Sequence, residues 1–147
     1  DTNFLLRAKP KALERNVVIS DAVNDPGTAL EVINRSVRIL SILENYNAKQ
    51  DDEQSIEFSH VRVPELAFNR IFEDMYLPIA RDGASMVEIQ LGLQNALLAL
   101  RKLNNKNLNE HIVQIATLAY QHAEYGLVLD SNKHAVNEVL QKTLHYK

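Results

Sequence analysis

The chain has 147 residues, enough for one domain that buries a sizeable core without disulfide bonds. Its net charge of −3 and pI near 5.9 disfavour a nucleic-acid-binding surface, and the absence of cysteine excludes a disulfide framework and thiolate chemistry. Only four Gly and four Pro among 46% hydrophobic residues favour an all-α fold. No signal peptide or run of about 20 apolar residues is visible, and the start at Asp1 instead of Met indicates a piece of a longer protein.

The N-terminal region predicts a short helix over residues 10–19, after a lead-in that Pro10 interrupts. Its basic residues have two interpretations, a solvated helix face or a patch that faces a membrane. Through the positive-inside tendency they favour the cytoplasmic side of a membrane. These basic residues are Arg7, Lys9, Lys11 and Arg15.

A second helix is predicted from Pro26 to about residue 47, because apolar residues recur there at intervals of three and four. Asn24 or Asp25 would cap it, Pro26 would occupy its first position, and Thr28 adds a polar group to the first turn. Two interpretations of this helix start remain open. It is either a well-capped helix start or a site that holds an anion on the same free N–H groups.

The middle of the chain predicts an exposed loop over residues 48–56 and then a short strand over residues 57–63. His60 and Arg62 would point to the same side of this strand. With Glu65 they could hold an anionic ligand, although a solvated strand face explains them as well. Because the strand has no obvious partner in the chain, it could pair across a symmetry axis in a homo-oligomer.

Four further helical segments follow. One begins at Pro64 and ends at Asp82-Gly83, where the glycine would adopt a left-handed capping conformation. Pro78 should end or kink this helix before that point. The next, to about residue 104, should begin with a capping box formed by Ser85 and Glu88 and should be central, because it is apolar on two sides.

The last two helices are predicted from Asn107 to near Gly126 and onward from a cap at Asp130 or Ser131. The first of them should carry an apolar stripe inward, formed by Leu108, Ile112, Ile115, Ala116, Ala119 and Ala123. Asn107 with Glu110 resembles another capping arrangement. The connections between the segments are short, as in a helical bundle. The sequence therefore predicts a single all-α domain over residues 1–147, with five or six helices and at most one short strand.

No pattern of residues points to catalysis, a metal or a cofactor. His111 and His122 would lie about 16 Å apart along one helix, too far to share a metal ion. The chain has no glycine-rich phosphate loop, no Gly-x-Ser-x-Gly and no His-Glu-x-x-His. The sequence therefore indicates a protein that is not an enzyme and that needs neither metal nor cofactor.

The segment Asn24–Ala29 resembles the Asn-Asp-Pro-x-Thr-Ala signature of a bacterial family of predicted membrane proteins, the domain of unknown function twenty-two fifty-four. A second block agrees in order and spacing: Val61–Pro64, then Phe68, then Arg81–Ala84 and the leucine-rich helix after it. The resemblance implies transmembrane helices ahead of this region in full-length relatives, with this chain as their soluble C-terminal part. The family supplies no established catalytic residues.

Two hypotheses about function follow. The first is a non-enzymatic domain of a bacterial inner-membrane protein that assembles or regulates its own transmembrane region, on the cytoplasmic side and as a homo-oligomer. The second is a sensor of a small ligand or anion, and it uses the predicted site residues. These are Asn24, Asp25, Pro26, Thr28, His60 and Arg62.

Overall fold

A computed structural model describes residues 25–52, 70 and 72–147, and these residues confirm the all-α prediction. They form five α-helices and one π-helical turn. The elements are α1 (Pro26–Asp52), the π-helical turn (Phe72–Tyr76), α2 (Leu77–Asp82), α3 (Val87–Arg101), α4 (Lys106–Gly126) and α5 (Asp130–Leu144).

Helix α3 is the centre of the bundle, as its two apolar sides predicted. It packs against α1, α2, α4 and α5. Its buried apolar residues recur at helical spacing and form one buried face of the helix. They are Ile89, Leu93, Ala96, Leu97 and Leu100.

Helices α3, α4 and α5 run up, down and up because the turns between them are short. The first turn passes through Asn104, whose φ of 55° lies in the left-handed region that asparagine tolerates better than most residues. Helix α4 buries the apolar stripe that the sequence predicted. This stripe is Leu108, Ile112, Ile115, Ala116, Ala119 and Ala123.

Helix α1 begins at Pro26 as predicted, but the predicted loop over residues 48–56 is wrong at its start, because α1 continues to Asp52. The residues there are polar but good helix formers, and Asp51 and Asp52 do not stop a helix that is already formed. The predicted strand over residues 57–63 and the predicted helix over residues 10–19 lie outside the described residues.

The helix predicted to run to Gly83 is interrupted by the π-helical turn, which ends two residues before Pro78. Proline cannot donate the hydrogen bond that a continuous α-helix needs at that point, and α2 instead restarts with Pro78 in its first turn. Gly83 is not left-handed, since its φ is −95°. Glycine is needed there for space: a Cβ atom would lie 2.7 Å from Cγ2 of Ile89.

Three predicted helix caps are wrong by one or two residues. Helix α3 has Met86 at its N-cap position and no side-chain cap, so Ser85 and Glu88 form no capping box. The cap of α4 is Asn105 and not Asn107, and α5 starts after Leu129 without a side-chain cap, so that Asp130 is its first helical residue. Capping residues in the sequence therefore located these helix starts only to within one or two residues.

Candidate functional site

The predicted site at the start of α1 is a closed hydrogen-bonded cap. Oδ1 of Asp25 accepts the backbone N–H of Gly27 at 3.1 Å and that of Thr28 at 3.4 Å, and Oδ2 accepts the Thr28 hydroxyl at 2.6 Å. The hydrogen bond from the Thr28 hydroxyl, with those from the two backbone N–H groups, lowers the pKa of the exposed Asp25 carboxyl. Asp25 is therefore the residue that caps α1.

This cap bears directly on the anion hypothesis. The N–H groups of Gly27 and Thr28 already bind a carboxylate of the same chain, and an external anion would have to displace it and overcome its negative charge. Pro26 and Thr28 lie beside Asp25 as the sequence predicted. Asn24, His60 and Arg62 lie outside the described residues.

Sequence reasoning missed a buried polar contact that joins α1 to the π-helical turn. The Ser36 hydroxyl donates to the carbonyl of Ile33 at 2.6 Å, and the Tyr76 hydroxyl lies 2.7 Å from the Ser36 oxygen. Because the serine hydrogen is used on Ile33, Tyr76 is the donor to Ser36. The Tyr76 side chain is fully buried, and burial raises the pKa of its hydroxyl to about 12.

Two buried glutamines of α3 bind backbone carbonyls of its neighbours. Nε2 of Gln90 donates to the carbonyls of Ala80 and Gly83, each at 3.0 Å, and so holds the end of α2. Nε2 of Gln94 donates to the carbonyl of Ala116 in α4 at 3.0 Å. Their spacing of four residues places them on the same face of α3, next to the apolar face, but nothing in the sequence shows that this face is buried.

Asn105 connects the start of α4 to α1. Its Oδ1 accepts the backbone N–H of Asn107 at 2.9 Å, while its Nδ2 donates to the buried carboxylate of Glu44. Like the contacts of Ser36, Gln90 and Gln94, this one positions helices against each other. These polar groups are therefore part of the architecture of the bundle.

Among the described residues, three apolar side chains stay exposed at the end of α4 and in the turn that leads to α5. We call Tyr125, Val128 and Leu129 the apolar turn; they are 95%, 90% and 60% exposed. Between them Leu127 is only 3% exposed and packs in a small buried cluster with two other residues. Turns between helices are usually polar, so the apolar residues that follow Gly126 could have predicted an exposed apolar surface from the sequence alone.

The apolar turn is held firmly. A Cβ atom on Gly126 would lie 2.5 Å from the carbonyl carbon of Ala84, so the end of α4 touches the backbone of the turn before α3. The N–H of Leu127 donates to the carbonyl of Ala123 at 2.8 Å, and the carbonyl of Leu129 accepts two N–H groups of α5 at 3.1 Å. A surface with so little freedom loses little entropy when it binds a partner.

The part of the chain that the structure describes holds neither a group of metal ligands nor a membrane-spanning helix. No three His, Asp or Glu side chains lie close enough together there to hold a metal ion. Nor is any helix in that part both long and apolar enough to cross a membrane.

Comparison with known proteins gave one match. The sequence model of the family described as "Predicted membrane protein (DUF2254)" matches residues 18–99, which is more than half of the chain. The matched region includes α1, the π-helical turn, α2 and most of α3. No curated protein and no solved structure matches the chain significantly.

Proposed function

Because the chain belongs to this family of predicted membrane proteins, we propose that it is the water-exposed C-terminal domain of a longer bacterial membrane protein, with a role in assembly or regulation of the membrane part and not in catalysis. The domain would act by docking on that membrane part. The observation that supports this is the apolar turn.

The apolar turn has the properties of a docking surface. Its exposed side chains lie within five consecutive residues, and Leu127 and Gly126 fix it against the bundle. Aromatic residues are enriched at the centre of protein interfaces because they bury a large area with few torsions, and Tyr125 is almost fully exposed. A partner that covers these side chains would remove their apolar area from water.

The test is cross-linking within the full-length protein. The chain contains no cysteine, so Val128→Cys in a cysteine-free background gives a single attachment point for a short photo-activated cross-linker. We expect a product that joins this domain to the membrane part. A matched variant, Ile42→Cys, places the same probe on an apolar residue of α1 that is 67% exposed, and it should give much less product.

A second measurement separates docking from chance proximity. Tyr125→Ser with Val128→Ser should weaken binding of this domain to a separately produced membrane part, whereas Ile42→Ser should leave binding unchanged. Equal binding by all variants, or equal cross-linking from both cysteines, would contradict the proposal. Since all these side chains are exposed, the substitutions should leave the fold intact.

We also propose that the domain lies on the cytoplasmic side of the bacterial inner membrane and forms a homo-oligomer. Protection of the Ile42→Cys thiol, which is exposed and lies outside the apolar turn, from an impermeant reagent in intact cells, with labelling after the cells are permeabilised, tests the side. Light scattering during size-exclusion chromatography tests self-association. If Val128→Ser converted an oligomer into a monomer, the apolar turn would bind a second copy and the docking proposal would be wrong.

A further inference from the structure

The other end of α5 carries a basic groove whose chemistry differs from that of the apolar turn. The groove has a volume of about 390 Å³ and lies where α3 and α5 end. Cationic or titratable side chains surround it, and Leu98 and Tyr146 contribute apolar surface. The lining residues are Leu98, Lys102, Lys142, His145, Tyr146 and Lys147.

The wall of this groove is held in place by Arg101. Nη2 of Arg101 donates to the carbonyl of Tyr146 at 2.8 Å, and its guanidinium carbon lies 5.5 Å from the centre of the Tyr146 ring. This combination of a hydrogen bond and a cation–π contact fixes the end of the chain against α3. Arg101 also adds a further positive charge behind the ring.

No carboxylate of the described residues neutralises the lysines of the groove. Lys102, Lys142 and Lys147 are exposed, and none of them forms an ion pair with a carboxylate among the described residues. This concentration of positive charge contrasts with the net charge of −3 for the whole chain. Like charges that converge without a counter-charge repel one another, and a bound anion would relieve that repulsion.

A simpler explanation is that cations favour helix C-termini. Each helix end carries about half a negative charge, so two ends attract roughly one cation between them. The groove brings together three lysines, from the C-cap position of α3, from α5 and from the segment after α5. The last carbonyls also accept backbone N–H groups, as in the bond from His145 to Gln141 at 3.0 Å. The positive charge therefore exceeds what the helix ends require.

We propose that the basic groove binds a phosphate-bearing anion, with lysines from two helices contacting the phosphate and with Leu98 and Tyr146 contacting an apolar part of the ligand. Lysine is a common phosphate ligand, and the volume lies in the range of small-molecule sites. The phosphate belongs either to a water-soluble molecule or to a lipid headgroup. This site is separate from the apolar turn and does not depend on the proposed docking.

The test is a titration of the isotope-labelled chain observed by nuclear magnetic resonance, in two arms. Inorganic pyrophosphate is the soluble probe; vesicles of phosphatidylglycerol, compared with vesicles of phosphatidylcholine, are the lipid probe. In one arm we expect binding that shifts or broadens the amide signals of Lys102, Lys142 and Lys147. Binding in the pyrophosphate arm identifies a soluble ligand, and binding in the phosphatidylglycerol arm identifies a headgroup.

Matched variants locate the binding. Lys102→Gln with Lys142→Gln should weaken it at least about tenfold, as expected for loss of charge-assisted contacts. Lys106→Gln with Lys133→Gln removes the same charge outside the groove and should change affinity much less. No binding in either arm, or equal weakening by both pairs, would overturn the proposal. Thermal unfolding checks that both variants fold.

Discussion

The contact between Ser36 and Tyr76 allows a prediction in which a second substitution repairs the first. The Tyr76 hydroxyl is buried, and its donor hydrogen has Ser36 as its partner at 2.7 Å. Ser36→Ala would remove that partner and leave a buried donor without a hydrogen bond. Tyr76→Phe would instead remove the donor itself, while Ser36 keeps its hydrogen bond to Ile33.

The magnitudes follow from this asymmetry. Tyr76→Phe should lower the free energy of unfolding by about 1 kcal/mol, the net value of a typical hydrogen bond. Ser36→Ala leaves an unsatisfied buried hydroxyl, which costs about 1–3 kcal/mol, and regains roughly 0.5 kcal/mol because alanine favours a helix more than serine does. In the double variant both polar groups are gone, so we expect it to be more stable than Ser36→Ala alone.

The assay is urea denaturation of the wild type, the two single variants and the double variant, monitored by circular dichroism in the helix band at 222 nm. The comparison requires that each protein unfolds in one cooperative transition. The expected coupling between the two substitutions is favourable by about 1 kcal/mol. Additive losses, with the double variant the least stable of the four, would refute the argument. They would mean that Tyr76 finds another acceptor or that its hydroxyl contacts water.

The remaining predictions concern pH, the first helix cap and two glycines. Burial raises the pKa of Tyr76 from 10.0 to about 12 in the folded chain. The buried, protonated Tyr76 therefore makes its full contribution to the free energy of unfolding below pH 10, and this contribution is lost as the pH rises from 10 to 12. Unfolding free energy should therefore fall over that range by up to about 1.4 kcal/mol per pH unit, and less steeply in Tyr76→Phe. Asp25→Ala should lower the melting temperature through loss of the α1 cap, whereas Asp25→Asn, which keeps an acceptor, should lower it less. Gly126→Ala should lower the free energy of unfolding by about 1–3 kcal/mol, because the new methyl group meets the backbone of Ala84. Gly92→Ala should lower it less, because its methyl group meets only a movable methyl group of Leu30. The urea midpoints of the two variants measure this difference. Equal effects of the two glycine changes would contradict this account.

The sequence predicted the parts of the fold that depend on periodic burial. The stripe of α4 and the central place of α3 are both confirmed, because one residue in three or four on a buried face leaves a repeated signal. Helix ends were predicted less well. Ser85 and Asn107 have good capping chemistry, yet Met86 and Asn105 occupy the N-cap positions. Since Asn105 and Asn107 have the same side chain, capping chemistry alone locates the start of α4 only to within two residues.

Most of the candidate sites depend on contacts between residues that are far apart in the sequence, and such contacts leave no local sequence pattern. Asp25 is the exception: it could be predicted as a cap because its partners are two and three residues away. The pairing of Ser36 with Tyr76 spans 40 residues, and the basic groove joins Lys102 to the last residues of the chain. Without the packing of α3 against α5, no spacing in the sequence brings these lysines together.

The two proposed surfaces constrain the orientation of the domain together. The apolar turn precedes α5 and the basic groove follows it, and fifteen helical residues at 1.5 Å each separate them by roughly 20 Å. That distance exceeds the Debye length of about 8 Å at physiological ionic strength, so lysines at one end interact weakly with headgroups at the other. If the apolar turn docks on the membrane part close to the bilayer surface, the groove of the full-length protein faces water, where a soluble phosphate-bearing ligand reaches it and headgroups do not. If the full-length protein instead holds Lys102 and Lys142 against phosphatidylglycerol headgroups, the apolar turn lies roughly 20 Å from the bilayer surface, and Val128→Cys should cross-link only to a segment of the membrane part that extends that far.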